Sequence, residues 1–337
     1  MQGRAAMPVG AKSTQPVARN VNVAQIVSRF SARPPWIMNG GWVRISDVTT
    51  PTAAVVGQLA RDLVLSVDDL PDPGSSADAT GRLEQLGGKG ANQAVGLAQL
   101  GVRPSLVAVA GDDVIGDVLL DQARRDGIDV STVVRRPGVL TGLIVEILAG
   151  GTYRYVEHLP LLTVADVEQR AEQIRRKDAV LVQLQQPADV AAAAARIGHD
   201  AGRLVVLDGA PPDDALLAHA DVVRADDKEA EMLLGVPPEQ MRDAARKLLE
   251  KGPRLIAVAT DDGNLVVWAD GDVLVPLSDA DVVDTTGGGD AFVAALTASL
   301  LRGDPYEEAA RRATAASGAT VGHPGGRPDL GGTAGRG

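Results

Sequence analysis

The chain contains no cysteine, so disulfide bonds and thiolate metal sites are both excluded. Aromatic residues make up only 2% of its 337 residues, although hydrophobic residues as a whole make up 45%. A large core is therefore expected, and it must be built from valine, leucine, isoleucine and alanine.

No apolar run approaches the ~18 residues that a membrane-spanning helix needs. The N-terminus also lacks the compact apolar segment of a secretory signal, so we expect a cytoplasmic protein with no membrane partner. The net charge is −11, whereas duplex binding needs a concentrated basic surface, so nucleic acid is not an expected partner. The four histidines lie far apart in sequence and show no metal-ligand spacing.

Acidic residues are missing from residues 1–46, a stretch that holds six basic residues. Such a leader resembles an organelle transit peptide, and the other interpretation is a flexible extension. We expect the second, with residues 1–52 forming a basic, flexible N-terminal extension. At the other end, residues 331–337 (GGTAGRG) are expected to be a disordered tail.

From about residue 53, short β-branched runs alternate with helical stretches. The runs show little polar alternation, which suits strands buried on both faces, and they cover residues 54–56, 106–109, 180–182, 204–207 and 255–258. The helical stretches cover residues 91–100, 114–125, 164–176, 189–201, 238–251 and 305–319. This alternation predicts an α/β fold, a doubly wound and mostly parallel sheet within one domain over residues 53–330.

Two segments interrupt this rhythm. Residues 63–86 are rich in proline and polar residues, with little helical period. Residues 140–156 contain two β-rich runs around Ala149-Gly150-Gly151, which is typical of a hairpin. Both segments are expected to form a small β-sheet lid beside the main sheet.

Three successive glycines precede Asp290 in the segment 284–292, which reads DTTGGGDAF. The residues that follow are apolar nearly all round, so we expect a buried helix with Gly287, Gly288 and Gly289 at its N-terminus. Unpaired N–H groups and the helix dipole favour a phosphate there, and glycine lets it approach closely. A carboxylate beside this anion can take a proton from an attacking hydroxyl. The alternative is a glycine-rich turn in which Asp290 only caps a helix.

Glycines also open a predicted helix in residues 86–101, which read LGGKGANQAVGLAQLG. Lys89 and Asn92 offer donors, and Asn92 can serve vicinal hydroxyls as donor and acceptor. Asp62 follows the first predicted strand, and ligands of open α/β sheets bind beyond the carboxyl ends of the strands. The alternative is a capped helix with a solvated lysine.

Together, these two segments resemble the signatures of the ribokinase-like (phosphofructokinase-B type) carbohydrate kinases, over about residues 55–328. The stretch GGKGANQA is similar to the ribokinase branch. The resemblance implies a ribokinase-like fold and the transfer of phosphate from Mg-ATP to the primary hydroxyl of a sugar, either ribose or a related pentose or hexose. It also implies a homodimer that forms through the lid.

The resemblance further implies roles for individual residues. Asp290 aligns with the catalytic base, and Gly287, Gly288 and Gly289 align with the anion hole. The sugar contacts are assigned to Asp62, Gly88, Lys89, Asn92 and Gln185. The nucleotide side is assigned to Asp226, Glu229, Thr260 and Gly263, and Glu229 also helps to organise Mg²⁺. Asp284 and the turn Gly325-Gly326 match a monovalent-cation region, which makes K⁺ a candidate cofactor beside ATP and Mg²⁺.

Several positions depart from the family pattern. Gly288 replaces the more usual alanine, a change that an anion hole should tolerate. Ala60 stands where ribokinases usually carry a sugar-binding asparagine, and Gln185 stands where a glutamate is common, which weakens the match to ribose. Asp226 replaces the first residue of the Asn-x-x-Glu motif, and Val258-Ala259-Thr260 replaces Thr-Leu-Gly. The usual final helix after Pro328 is absent.

Two alternatives to a sugar kinase follow. A nucleoside kinase would stack its base on aromatic rings, for which Tyr153 and Tyr155 in the lid segment are candidates. A sugar-binding or regulatory homologue with weak catalysis would explain the changes at Ala60, Gln185 and Asp226.

Overall fold

The computed structural model describes residues 49–149, 152–277, 285–322 and 325–331. In these ranges the strands are β1 Thr52–Val56, β2 Ala60–Val67, β3 Gly81–Gly87, β4 Arg103–Val107, β5 Val109–Gly111, β6 Val134–Arg136, β7 Gly142–Ala149, β8 Thr152–His158, β9 Ala179–Gln183, β10 Leu204–Asp208, β11 Val222–Ala225, β12 Leu255–Thr260, β13 Gly263–Trp268 and β14 Gly271–Val275. The helices are α1 Lys89–Gln99, α2 Val114–Arg125, α3 Val164–Glu168, α4 Ala171–Arg175, α5 Ala188–Asp200, α6 Asp214–Leu217, α7 Asp227–Leu234, α8 Met241–Leu249, α9 Gly288–Arg302 and α10 Tyr306–Val321.

Eight strands form the main sheet, in the order β14-β13-β12-β11-β10-β9-β1-β4. The strands from β4 to β12 in this order run parallel, whereas β13 and β14 are antiparallel additions at one edge. Successive residues of β1 face opposite sides of the sheet: Ala53 and Val55 join one buried cluster, and Ala54 and Val56 join the other. The sheet is therefore buried on both faces, which confirms the doubly wound α/β prediction.

Helices cover both faces of this sheet. Residues of α1, α2, α9 and α10 pack into one buried cluster, and residues of α5 to α8 pack into the other. Phe292 is the one aromatic residue among the largest fully buried side chains of the described ranges. The core is thus aliphatic, as the composition predicted.

The strand order reverses at β1, which lies between β4 and β9. In open α/β sheets, ligands bind beyond the carboxyl ends of the strands at such a reversal. The neighbouring strands β9, β10 and β11 end on this edge at Gln183, Asp208 and Ala225. Helices α1 and α9 pack against each other.

A separate four-stranded sheet has the order β3-β2-β7-β8. Strands β7 and β8 form the antiparallel hairpin predicted within residues 140–156, and β2 and β3 bracket the predicted segment 63–86. The small sheet expected from the sequence is therefore present. This small sheet contacts the segment that precedes α9, since the Tyr153 hydroxyl forms a hydrogen bond of 2.7 Å with the Thr285 hydroxyl. A homodimer formed through this sheet stays a prediction.

Two predicted helices and one predicted strand were wrong in their extent. The stretch 164–176 forms two short helices, and at the break between them the Arg170 N–H bonds to the Val167 carbonyl, three residues back, at 3.0 Å. The stretch 238–251 begins as a 3-10 turn, Pro238–Gln240, before α8. The run 106–109 divides between β4 and β5, because β5 leaves the main sheet to pair with β6.

Other predictions fall outside what the structure describes. These are the basic extension (except its last residues), the tail beyond Gly331, and Asp284. Within the described ranges, no helix combines the length and the apolar character that crossing a bilayer requires.

Candidate active site

Asp290 lies in the first turn of α9, with 5% of its surface exposed. Gly287 is the N-cap residue, in the left-handed conformation with φ 72°, and no side chain caps this helix end. A Cβ at Gly287 would lie 1.6 Å from the Gly326 carbonyl oxygen, so only glycine fits here. The first-turn N–H groups of a helix have no partner within the helix, so this end can receive an anion.

The helix α1, which begins in the predicted sugar-side segment 86–101, contacts Asp290. Its N-cap is Gly88, with φ 84°. Asn92 donates from Nδ2 to Asp290 Oδ2 at 3.3 Å, and Gln93 donates from Nε2 to Asp290 Oδ1 at 3.1 Å. Two segments some 200 residues apart in sequence therefore share one carboxylate.

The environment of Asp290 favours its protonated form. Burial, followed by the charge of Asp208, raises its pKa to about 7, against the lowering effects of Lys89, Gln93 and Asn92. A carboxyl group with a pKa near the working pH is suited to general base catalysis, because it can be deprotonated at neutral pH and still accept a proton.

Asp208 and Arg224 belong to the same cluster, although neither stands in one of the two glycine-rich segments. Gln93 donates from Nε2 to Asp208 Oδ2 at 2.8 Å, and Arg224 Nη1 lies 3.2 Å from Asp208 Oδ1. Both residues are buried, and they lie at or near the carboxyl ends of β10 and β11. For Asp208, its place after the predicted strand 204–207 was the one signal available in the sequence, whereas the strand of Arg224 was not predicted.

Asp62 lies on β2 with 8% of its surface exposed. Burial, followed by the charges of Asp290 and Glu146, raises its pKa to about 8, although the Gly88 N–H lowers it. A Cβ at Gly87 would lie 1.7 Å from Asp62 Oδ2, so Asp62 can take this position only beside glycine. Within the described ranges, Asp62 Oδ1 and Asn92 Oδ1 are buried acceptors without a hydrogen-bond partner.

Lys89 supplies positive charge to these carboxylates. Burial alone would lower its pKa, but the charges of Asp208, Asp290 and Glu229 outweigh burial and raise it. Lys89 therefore stays protonated beside the carboxylates of the site. Gln185, in contrast, is exposed after β9, whereas the neighbouring Gln183 is buried.

The predicted nucleotide-side residues lie on two elements. Asp226 and Glu229 form a capping box on α7: Glu229 N donates to Asp226 Oδ1 at 2.8 Å, and Asp226 N donates to Glu229 Oε2 at 2.9 Å. Burial, followed by the charge of Asp208, raises the pKa of Glu229, although the hydrogen bond from the Asp226 N–H lowers it. Thr260 ends β12 and donates from Oγ1 to the Gly263 carbonyl at 3.0 Å. Their roles toward a nucleotide stay predictions.

Comparison with known proteins now identifies the family. The model of the pfkB family carbohydrate kinases matches residues 50–330, which is most of the chain. The chain belongs to this family. The resemblance inferred from the two glycine-rich segments is thereby confirmed.

Characterised relatives share this assignment. The carbohydrate kinase is 28% identical over 287 residues to the ribokinase of Haemophilus influenzae, covering 80% of this chain and 92% of that protein. It is 31% identical over 279 residues to the ATP-dependent ribose-1-phosphate kinase of Halopiger xanaduensis, covering 80% and 92%. The structure of Arabidopsis thaliana ribokinase complexed with ribose and ATP matches with a TM-score of 0.70 at 25% identity, covering 82% of this chain and 94% of that one.

This pfkB-family member is therefore an ATP-dependent sugar kinase. The non-catalytic alternative has no support from these relatives. Among the described residues, no group of three or more histidine, aspartate or glutamate side chains is arranged to hold a metal ion. Asp284, predicted to serve a monovalent cation, lies outside the described residues. Gly325 and Gly326 both adopt positive φ, and Gly326 lies beside Gly287.

Proposed function

We propose that this kinase phosphorylates the primary hydroxyl of an unphosphorylated sugar, either ribose or a related pentose or hexose, with Asp290 as the general base. The observation that carries the proposal is the bond from Asn92 to Asp290, which joins the sugar-side motif to the phosphate-side motif. A hydroxyl held near Asn92 would lie close to the carboxylate that must take its proton.

The open acceptors near Asp290 support a polyhydroxyl substrate. Asp62 Oδ1 and Asn92 Oδ1 are buried and lack partners among the described residues, and sugar hydroxyls would satisfy them. A buried acceptor left empty costs on the order of 1–3 kcal/mol, which strongly favours a ligand that donates there. Lys89 adds a donor on the same helix.

In the reaction, Asp290 would accept the proton as the sugar oxygen bonds to the γ-phosphorus of ATP. The bond from the γ-phosphorus to the bridging oxygen would break at the same time, and its electrons would leave with ADP. The first-turn N–H groups around Gly287, Gly288 and Gly289 would stabilise the charge on the transferred group. Lys89 would stabilise it further.

Mg²⁺ would neutralise phosphate charge when bound. It usually binds through one or two carboxylates, water and the phosphates. Asp226 and Glu229 are the carboxylates that would orient its water ligands. A role for K⁺ at Asp284 remains a prediction.

The charge of the sugar pocket argues against a phosphorylated sugar. Asp290, Glu146 and Glu157 all lie close enough to Asp62 to raise its pKa. A sugar phosphate bound beside Asp62 would lie near Glu146 and Glu157 and would be repelled by their charge. The named substrate of the Halopiger relative, ribose 1-phosphate, is therefore not proposed for this chain.

A coupled ADP-release assay on ribose, deoxyribose, fructose, ribose 1-phosphate and adenosine tests the proposal. We expect turnover with a free sugar, and a loss of kcat of roughly 10²–10⁴-fold in Asp290→Asn, because the general base is removed. Asp272→Asn, at the far edge strand β14, should leave the rate unchanged. Turnover with adenosine alone would replace the proposal with a nucleoside kinase, and full activity of Asp290→Asn would remove the base.

A further inference from the structure

Arg224 occupies an unusual position for a structural arginine. It lies on β11 with 8% of its surface exposed, and its Nη1 is 3.2 Å from Asp208 Oδ1. A Cβ built on Gly289 would lie 2.6 Å from Arg224 Nη1 and 2.7 Å from Nη2. The guanidinium group is therefore packed directly over the first turn of α9.

Neutralising Asp208 does not by itself explain this position. Asp208 already accepts a hydrogen bond from Gln93, and Lys89 lies near enough to respond to its charge. Arg224 also responds to two further carboxylates: burial opposes its charge, but Asp208, Glu229 and Asp226 together raise its pKa. The guanidinium thus lies close to the predicted nucleotide-side carboxylates and to the predicted anion hole.

We propose that Arg224 is a further catalytic residue, which donates hydrogen bonds to the phosphoryl group during its transfer, and that Asp208 is the residue that positions it. The proposal rests on the proposed function. The planar guanidinium carries five N–H donors in a fixed fork, so it can hold one carboxylate and still bind phosphoryl oxygens.

The network also links this cation to the base. Arg224 contacts Asp208, Asp208 accepts from Gln93, and Gln93 donates to Asp290. The group that binds the phosphoryl and the group that accepts the proton are therefore held by one chain of polar contacts. The negative charge added where Asp226 replaces the family's usual asparagine has a nearby counter-charge in Arg224.

Arg224→Met and Arg224→Lys test the proposal by separating kcat from binding. We expect Arg224→Met to lower kcat about 100-fold or more, because a donor to the developing charge is lost, with little change in the sugar KM. Arg224→Lys keeps the charge and loses the fork, so its kcat should lie between those of Arg224→Met and the wild type. Asp208→Asn should lower kcat less than Arg224→Met does.

A matched control is available at the opposite end of the sheet. Arg254 pairs with Asp221 just before β12, away from the carboxyl ends of the strands. Arg254→Met removes the same charge, and its kcat should equal that of the wild type. Melting temperatures of all variants show whether each one folds. If Arg224→Met does not fold, the kcat of Arg224→Lys decides whether Arg224 is catalytic.

A binding measurement is independent of the sugar. Isothermal titration of ADP alone and of ADP with aluminium fluoride should show that the wild type prefers the phosphoryl-like complex, and that Arg224→Met loses this preference. A folded Arg224→Met with unchanged kcat and unchanged preference would overturn the proposal, as would one that only raises the ATP KM. If the wild type phosphorylates none of the sugars, the proposed substrate class fails, and the titration still decides the role of Arg224.

Discussion

Asp290→Asn removes a buried charge while keeping the shape of the side chain, so its effect on stability can be worked out from the pKa. In the folded protein, burial and then the charge of Asp208 raise the pKa of Asp290 from its ordinary 3.8 to about 7. One pKa unit corresponds to about 1.4 kcal/mol, so ionising this carboxyl destabilises the fold by roughly 4 kcal/mol.

The pH window follows from the direction of the shift. Since the folded pKa lies above the unfolded one, the stability contributed by protonated Asp290 is fully present below about pH 4 and is lost as the pH rises to about 7. Asparagine stays neutral throughout. The difference in free energy of unfolding, Asp290→Asn minus wild type, should therefore increase as the pH rises through this window. Above the window, the difference should stay constant.

Activity should change in the opposite sense. The base must be deprotonated to accept a proton, so kcat/KM of the wild type should rise about tenfold per pH unit below about pH 7 and then level off. Asp290→Asn should stay nearly inactive at every pH. Urea unfolding and the coupled ADP assay, run across the same buffers, measure both quantities.

Asp113→Asn provides a control of opposite sign. Burial opposes its charge, but bonds from Thr141 and the Gly116 N–H prevail and lower the pKa of Asp113. Asp113→Asn should therefore be less stable than the wild type at neutral pH, and this deficit should shrink as the pH falls. A stability difference for Asp290→Asn that does not vary with pH would refute the burial argument. An active Asp290→Asn would refute the assignment of the base.

Two glycine substitutions test the shape of the site. Gly87→Ala should displace Asp62, because its Cβ would lie 1.7 Å from Oδ2, and should raise the sugar KM about tenfold or more with a smaller effect on kcat. Gly81→Ala, on the same strand, meets Ser66 at 3.3 Å and should behave like the wild type, so equal KM values for the two variants would contradict this role. Gly287→Ala should lower both kcat and the melting temperature, because its Cβ would overlap the Gly326 carbonyl and φ is 72°. Wild-type kinetics in Gly287→Ala would show that this helix end does not bind the phosphoryl group.

The parts of the fold that the sequence predicted are those with a local signal. The strands β1, β9, β10 and β12 are short apolar runs, and α2 matched its predicted bounds of 114–125. β11 was missed because Arg224 interrupts its apolar run, which reads VVRA. The strands β13 and β14 form an antiparallel edge of the sheet, which the alternation of strands and helices along the chain does not predict.

The site divides in the same way. Asp290 and Lys89 stand inside glycine-rich segments whose pattern is visible along the chain. Asp208 and Arg224 lie outside these segments, and Gln93, although it lies in the same segment as Lys89, has no local pattern that indicates its partners. The three residues meet only because α1, β10 and β11 converge at one edge of the sheet. Their contacts span 115 residues of sequence in one case, and no local spacing encodes such a distance.

The balance of charge gives a physical reason for two cations near the proposed base. Asp208 already raises the pKa of Asp290, and Lys89 lowers it. The phosphates of ATP would add negative charge beside the same carboxyl group and would raise its pKa further. A base that held its proton too tightly would be protonated at neutral pH and could not accept one from the sugar. Lys89 and Arg224, both held in their charged form by the surrounding carboxylates, would offset the nucleotide's charge and leave Asp290 able to ionise when the substrate is bound.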